Sequence, residues 1–104
     1  MVKNFNELIN SEIPVLVDFS AEWCGPCKMM GPILEQLKST MGDSVKIIKI
    51  DVDNNRELSA QYNIRNVPTI KIFQNGTEKW SGAGVRQADN LVAIIRQSCE
   101  VKVS

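Results

Sequence analysis

Hydrophobic and polar positions along the chain alternate in patterns that predict a short helix, a buried strand and a long second helix. Residues 4–9 carry a short helical pattern, and residues 15–19 are apolar on both alternating faces, which is typical of a central strand covered by helices. After residue 27, apolar residues recur every three or four positions as far as Met41, which predicts an amphipathic helix. Pro32 lies inside this stripe, and we expect it to kink the helix rather than to end it.

The second half of the chain carries the patterns of further strands and helices. They are a β-branched strand over 45–52, a short helix that Asn54 or Asn55 caps and that extends through Tyr62, strands over 69–73 and 77–80, and an amphipathic helix over 86–100. Strand, helix and strand in succession imply a right-handed crossover between parallel neighbours, and the Asn75-Gly76 pair predicts an antiparallel hairpin. The sequence therefore predicts an α/β fold, with a central mixed sheet of four to five strands and helices on both faces.

Length, composition and charge narrow the range of functions. The chain has 104 residues, of which 43% are hydrophobic, and we expect one folded domain over 1–104. Twelve Lys and Arg residues balance twelve Asp and Glu residues, so no net field favours nucleic acid or anionic lipid, and no apolar run is long enough to span a membrane. The first residues lack the apolar core of a secretion signal. We therefore expect a cytoplasmic protein without a nucleic-acid or membrane partner.

Two of the three cysteines form the motif that is most informative about function. Cys24 and Cys27 stand three residues apart at the start of the predicted second helix, so both sulfurs lie on one face and can reach disulfide distance. The helix N-terminus favours a thiolate at Cys24, and Pro26 in the first turn lacks only an N–H that would be unpaired there. Because the Gly25-Pro26 insert behind Trp23 packs poorly in a core, we expect the pair to be exposed.

A Cys-x-x-Cys motif also occurs as half of a structural zinc site, and an inert buried pair is a further alternative. Zinc needs four ligands, but the chain contains no histidine, and its third cysteine, Cys99, falls on the predicted terminal helix. We therefore expect no metal site, while the inert pair stays open. Cys99 lies on the apolar stripe of its helix, where we expect a buried thiol rather than a regulatory one.

The segment Trp23-Cys24-Gly25-Pro26-Cys27-Lys28 is the active-site signature of the thioredoxin family, which the chain resembles over nearly its whole length. Further landmarks stand in the family's order at about its spacing: Val17-Asp18-Phe19, Val67-Pro68-Thr69, the Asn75-Gly76 hairpin and Gly84. The resemblance implies the thioredoxin fold, a single thioredoxin domain over 1–104 and a protein-disulfide reductase. Cys24 would attack a target disulfide, and Cys27 would then attack Cys24 to release the reduced target.

The same resemblance implies the partners. An NADPH-linked thioredoxin reductase would return electrons to the oxidised pair, and disulfide-containing client proteins would receive them. The chain itself would need no cofactor, and we expect a monomer. Two other interpretations stay open. One is a disulfide oxidant or isomerase of the same fold, which often carries a histidine where this chain has Gly25-Pro26, and the other is a binding module without turnover.

Asp18 is the one charged residue in the predicted central strand. An unpaired buried carboxylate is costly enough that it should hold a proton near neutral pH, which makes Asp18 a candidate base. The resemblance places Asp18 behind Cys27, whose proton it would take, and places Lys49 close by on the neighbouring strand. The alternative is a carboxylate at the strand end that reaches solvent.

Pro68 and its neighbours form a predicted client-contact surface. A proline before a strand is most often trans, but the resemblance implies a cis Val67-Pro68 bond beside the cysteines, which leaves the Val67 backbone free to pair with an extended client segment. The resemblance assigns seven residues to this surface: Trp23, Gly25, Pro26, Val67, Pro68, Gly84 and Val85. For Trp23 the alternative is a half-buried core aromatic.

Two departures from the family pattern affect details. Ser20 stands where the family has an aromatic residue, and we expect the missing ring to loosen the wall beside the active site. The N-terminus leaves at most Val2 and Lys3 for the family's first edge strand, so we expect four strands and a vestige of a fifth.

Overall fold

A four-stranded mixed sheet lies between two layers of helices in the computed structural model, which describes residues 4–102. Along the chain the elements are α1 (Phe5–Ile9), β1 (Val15–Ser20), α2 (Gly25–Met41), β2 (Lys46–Asp51), α3 (Arg56–Gln61), β3 (Thr69–Gln74), β4 (Thr77–Ala83) and α4 (Ala88–Ser98), with a 3₁₀ turn at Gly42–Ser44. The strand order is β2-β1-β3-β4. The predicted α/β fold is confirmed with four strands in the described residues, while the expected vestige at Val2 and Lys3 lies outside them.

Strand β1 lies inside the sheet because its residues are apolar toward both helix layers. Its first five residues are buried, as the two-sided pattern predicted. β1 pairs in parallel with β2 and antiparallel with β3, and β3 and β4 form the predicted antiparallel hairpin. Asn75 and Gly76 both have positive φ, 52° and 80°, as a tight hairpin turn of the Asn-Gly type requires.

Two apolar clusters fix the helices on the sheet. α2 and α4 pack on one face around fully buried side chains: Leu16, Met30, Leu37, Leu91 and Ile95. α1 and α3 pack on the other face, where Phe5 and Tyr62 meet Phe19 and Phe73 in a group of rings. Because side chains alternate along β1, Asp18 and Ser20 point toward the same layer as Leu16, which is the layer of α2.

β1, β2 and β4 end, and β3 begins, at the same end of the sheet. This end, which is distinct from the outer strands, is here called the loop edge. The paired positions there are Ser20 with Asp51, Phe19 with Thr69, and Thr69 with Ala83. The loops that follow β1, β2 and β4 and the loop that precedes β3 therefore lie side by side. Residues far apart in sequence become neighbours at this edge.

α2 runs for 17 residues through Pro32 and ends at Met41, as predicted, whereas other element boundaries differ from the prediction. α4 begins two residues later than predicted, at Ala88. Asn55 is the N-terminal cap residue of α3, but its side chain makes no cap hydrogen bond and instead donates to the Asp51 carbonyl at 2.9 Å. β4 extends three residues beyond its predicted end because pairing with β3 overrides the weak strand propensity of Gly82.

Candidate active site

The cysteine pair lies at the N-terminus of α2, at the loop edge. Cys24 is the N-terminal cap residue, and its sulfur accepts a hydrogen bond from the Cys27 backbone N–H at 3.2 Å. The two cysteines form a disulfide with their Cα atoms 5.3 Å apart, within the usual range for such a bond. The predicted reach between the two sulfurs is confirmed.

The pair is less exposed than the sequence predicted. Cys24 is 4% exposed and Cys27 is 7% exposed, so both are buried and the expectation of an exposed pair is wrong. The reason is that Cys24 turns inward to cap the helix, so both sulfurs join an apolar cluster with Ala21, Val52 and Val67. The residues beside them along the chain, from Trp23 to Pro26, are exposed apart from Cys24 itself. The disulfide therefore lies immediately beneath the surface.

Trp23 is the most exposed large hydrophobic side chain of the described residues, at 72%, which contradicts a place in the core. Its indole N–H donates a hydrogen bond to Oδ2 of Asp53 at 2.8 Å. Asp53 in turn belongs to the turn after β2, where Asp51 Oδ1 accepts from the Asp53 and Asn54 backbone N–H groups. Sequence reasoning missed Asp53, although an acidic residue just after a strand that ends at the loop edge was a usable signal.

The Val67–Pro68 peptide bond is cis, as the resemblance implied. The Val67 carbonyl oxygen lies 3.6 Å from Cys24 Sγ, and the Pro68 carbonyl accepts a hydrogen bond from the Gly84 N–H at 2.8 Å. Val67 itself makes no backbone hydrogen bond within residues 4–102. Gly84 has a φ of 93°, which favours glycine, and these contacts bring it to the cysteine pair.

Val85 is half-buried, and its side chain packs against the apolar cluster between α2, α4 and the sheet. Gly25 and Pro26 are exposed beside the pair, as a place in the client-contact surface requires.

Asp18 is completely buried on the α2 side of β1, which contradicts a carboxylate that reaches solvent. Neither of its oxygens has a hydrogen-bond partner among the described residues, so no hydrogen bond joins it to Cys27. Burial raises the pKa of Asp18 from 3.8 to about 6, and the positive charge of Lys49 opposes this rise. Lys49 is its paired neighbour on β2, as expected.

A cleft of about 500 Å³ opens beside Cys27 on the α2 side of the sheet. Its lining includes Ser20, Lys28, Lys49 and Asp51. Ser20 has too small a side chain to fill this space, as expected from the missing aromatic ring. Cys27 and Lys49 are therefore brought to one cleft, and Asp18 lies two residues before Ser20, on the same face of the strand that forms its wall.

Cys99 is a free thiol at the C-terminal cap position of α4, far along the chain from the redox pair. It is half-buried and packs against the α2–α4 cluster, so the expected burial holds only in part. Burial raises the pKa of this thiol, although the positive charge of Lys79 opposes the effect. Within residues 4–102, no group of three His, Cys, Asp or Glu side chains could hold a metal ion, and no helix there is long and apolar enough to cross a membrane.

Comparison with known proteins gives consistent results. The thioredoxin family model matches residues 1–97. The thioredoxin of Rickettsia prowazekii is 43% identical over 93 residues, which cover 89% of each chain, and that of Haemophilus influenzae is 40% identical over 90 residues, which cover 86% of this chain and 84% of its own. Among solved structures, the thioredoxin Mala s 13 of Malassezia sympodialis matches with a TM-score of 0.79 and 35% identity over 91% of this chain and 84% of that one.

Proposed function

The chain belongs to the thioredoxin family and has its fold, and on that premise we propose that it reduces protein disulfides with Cys24 as the attacking nucleophile and Cys27 as the resolving thiol. Thioredoxins are protein-disulfide oxidoreductases, and this chain is one of them. The roles of the two cysteines are assigned from the position of Cys24 at the N-terminal cap of α2, where its sulfur accepts a hydrogen bond from the Cys27 N–H.

The helix terminus makes the two sulfurs unequal. In the reduced protein the Cys24 sulfur lies where backbone N–H groups and the helix dipole favour negative charge, and this stabilises its thiolate. Cys27 lies one turn inside the helix, farther from the unpaired N–H groups of the terminus, while both sulfurs share the apolar cluster of Ala21 and Val67. Cys24 is therefore the better nucleophile toward a client.

The proposed reaction moves two electrons in two exchange steps. The Cys24 thiolate attacks one sulfur of the client disulfide, forms a Cys24–client bond and expels the other client sulfur, which takes up a proton. The Cys27 thiolate then attacks Cys24, forms the disulfide seen in the structure and expels the first client sulfur, which is also protonated. The client is reduced to a dithiol, and the pair is oxidised.

We propose that Asp18 is the base that accepts the proton of the Cys27 thiol. This buried carboxylate faces the α2 layer, and a pKa of about 6 makes it a stronger base than an ordinary aspartate. The positive charge of Lys49 lowers that pKa, and Lys49 also lines the cleft beside Cys27. Lys49 therefore moderates the basicity of Asp18. Asp18→Asn should slow the second exchange step and leave the first unchanged. Unchanged release of the client between pH 6 and 9 would exclude Asp18 as the base.

The proposed client-contact surface comprises Trp23, Gly25, Pro26, Val67, Pro68, Gly84 and Val85. A client segment pairs with the free Val67 backbone in the manner of an added strand, beside the Cys24 sulfur. Exposed Trp23 covers one side of that segment. Val85 contributes mainly by holding the loop of Gly84, because its side chain packs into the core.

The remaining parts of the proposal concern the setting of the reaction. Residues 1–104 act as one thioredoxin domain and as a monomer in the cytoplasm, without a cofactor of their own. An NADPH-linked thioredoxin reductase restores the dithiol, and disulfide-containing proteins are the clients. Support for these assignments comes from the thioredoxin relatives, which match most of the chain.

Reduction of insulin disulfides by dithiothreitol tests the function. We expect the wild-type protein to catalyse it, and Cys24→Ser to abolish catalysis. Cys27→Ser should accumulate a mixed disulfide between Cys24 and the client, because the second step is missing. Binding without turnover, or a mixed disulfide that forms through Cys27 in a Cys24→Ser variant at the wild-type rate, would contradict the proposed roles.

A further inference from the structure

A cation is held in a fixed position next to the client-contact surface. The guanidinium carbon of Arg86 lies 5.2 Å from the centroid of the Trp80 ring, and Nη2 of Arg86 donates a hydrogen bond to the Ala83 carbonyl at 3.3 Å. A guanidinium over an indole face is attracted by the charge distribution of the ring. Arg86 is thus held by two contacts in the free protein.

Gly82 makes this arrangement possible. A Cβ atom at Gly82 would lie 2.8 Å from Nη2 of Arg86 and would collide with the Trp80 ring. Trp80 lies two residues before Gly82 on the same side of β4, and its ring packs against the α2–α4 cluster. The absent side chain lets the ring lie flat along the strand and support the arginine.

Arg86 is connected to the cysteine pair through a short series of contacts. The Gly84 N–H binds the Pro68 carbonyl, and the Val67 carbonyl lies 3.6 Å from Cys24 Sγ. The Ala83–Gly84 peptide group contacts both partners, because its carbonyl accepts from Nη2 of Arg86 at 3.3 Å and its N–H donates to the Pro68 carbonyl at 2.8 Å. With the dimensions of a peptide group, Nη2 of Arg86 is at most about 9 Å from the Pro68 carbonyl oxygen, and so within reach of a client segment that is bound at Val67.

The opposite side of the surface carries the opposite charge. Trp23 is bonded to Asp53 in the loop after β2, whereas Arg86 follows β4. In the order β2-β1-β3-β4 these loops are three strand spacings apart, which is about 14 Å. A client strand that crosses the cysteine pair therefore passes Asp53 on one side and Arg86 on the other.

We propose that Arg86 binds a carboxylate of the client, two or three residues from the attacked cysteine and on the side that passes Gly84. An extended segment covers about 7 to 10 Å in two or three residues, which matches the separation estimated above. This inference rests on the proposed function, because it assigns a client preference to the same site. Trp80 is a positioning residue that holds Arg86 in place.

The test uses short peptides with one disulfide and a Glu or a Gln at the second or third position on either side of the attacked cysteine. For each position, kcat/KM is measured at low ionic strength, and the ratio of the Glu peptide to the Gln peptide is the readout. We expect a ratio of about two to five on one side of the cysteine only, the range of an exposed ion pair. The ratio should approach one in 1 M salt.

Matched variants separate the charge of Arg86 from other charges. Arg86→Gln should bring the ratio to about one. Arg96→Gln, which lies about 12 Å along α4 from its first residue, should leave the ratio unchanged. Trp80→Phe keeps an aromatic ring and should keep the preference, whereas Trp80→Leu should reduce it. Circular dichroism and the rate with the Gln peptides verify that each variant is folded and active.

Three results would overturn the inference: a ratio of one in the wild-type protein at every position, a preference that survives Arg86→Gln, and a preference lost in Arg65→Gln instead. Arg65 is the competing cation because it is exposed and precedes Val67 by two residues. Failure of the proposed function would look different, since no peptide of either kind would then be reduced. Reduction of all peptides without a Glu preference would refute the role of Arg86 alone.

Discussion

Replacing Asp18 by Asn should change how stability depends on pH. The carboxylate is completely buried, has no hydrogen-bond partner among the described residues, and has a pKa raised to about 6 by that burial. In the unfolded chain the same group has an ordinary pKa of about 3.9. Ionised Asp18 therefore destabilises the folded protein, and Asn, which is neutral at every pH, does not.

The size and sign of the effect follow from this difference. One pKa unit corresponds to about 1.4 kcal/mol, so ionisation of Asp18 costs the folded state about 3 kcal/mol. Well below pH 4 the Asp18 carboxyl group is protonated in both the folded and the unfolded state, and its favourable contribution to the free energy of unfolding is fully present. As the pH rises from about 4 to 6 the unfolded chain loses the proton first, and the contribution is lost. Above pH 7 the wild-type protein bears the whole cost.

The assay is urea unfolding of the oxidised protein at a series of pH values between 4 and 8. The informative quantity is the free energy of unfolding of Asp18→Asn minus that of the wild type, because other titrating groups cancel in this difference. We expect the difference to increase by about 2 kcal/mol between pH 4 and pH 7.5 in favour of the variant, because the unfolded chain is already half ionised at pH 4. Asp43→Asn, at an exposed position, is the matched control for the replacement of an Asp side chain by Asn.

A flat difference for Asp18→Asn would refute the reasoning, because it would mean that Asp18 titrates equally in the folded and unfolded states. A difference that decreases with pH would mean that the folded protein stabilises the carboxylate. Either result would also remove the physical basis for Asp18 as the base that serves Cys27.

Three further changes test other contacts. Gly82→Ala places a methyl group against the Trp80 indole and should cost about 1 to 3 kcal/mol in urea unfolding; unchanged stability would contradict the close packing. Glu78→Gln removes the negative charge that faces the buried ammonium of Lys71 at 2.9 Å and leaves it only neutral acceptors such as Ser81 Oγ, so it should destabilise the protein more than Lys71→Met does, and equal effects would argue against this. Burial raises the pKa of Cys99, so iodoacetamide at pH 7 should alkylate it more slowly than free glutathione, and an equal rate would refute that.

Local patterns in the sequence were sufficient to predict most of the fold. The two-sided apolar run of β1 and the Asn75-Gly76 turn both depend on residues close together in the chain, and both are confirmed. The burial of Asp18 followed from the same pattern, since a central strand buries every side chain that it carries. The extension of β4 through Gly82 was missed because pairing with β3 determines it, and no local signal reports that pairing.

The exposure of the cysteines depended on residues that are distant in sequence. Gly25 and Pro26 are exposed, as their poor packing properties predicted. Cys24 is nevertheless buried, because Val52 and Val67 come from the loops after β2 and before β3 and cover it together with the helix cap. A prediction from the motif alone could not include these loops.

The order of the strands could have been predicted from exposed charges. β1 and β3 are buried along almost their whole length, whereas β2 and β4 carry exposed residues such as Lys49 and Glu78. Strands with exposed charges occur at the edges of sheets. With β1 and β3 in the centre, the crossover places β2 beside β1 and the hairpin places β4 beside β3.

This order also determines the charge distribution around the redox pair. The loops at the loop edge follow the sequence of the strands, so the loop after β2 and the loop after β4 stand on opposite sides of Cys24. Asp53 and Arg86 are the charged side chains that these two loops fix by contacts with tryptophan rings. A single exchange of charge at either position would thus alter one side of the client-contact surface and leave the sulfur chemistry in place. If Arg86 has the role proposed above, client preference would be separable from redox chemistry, because the loops at the ends of β2 and β4 would supply the first and the N-terminus of α2 the second.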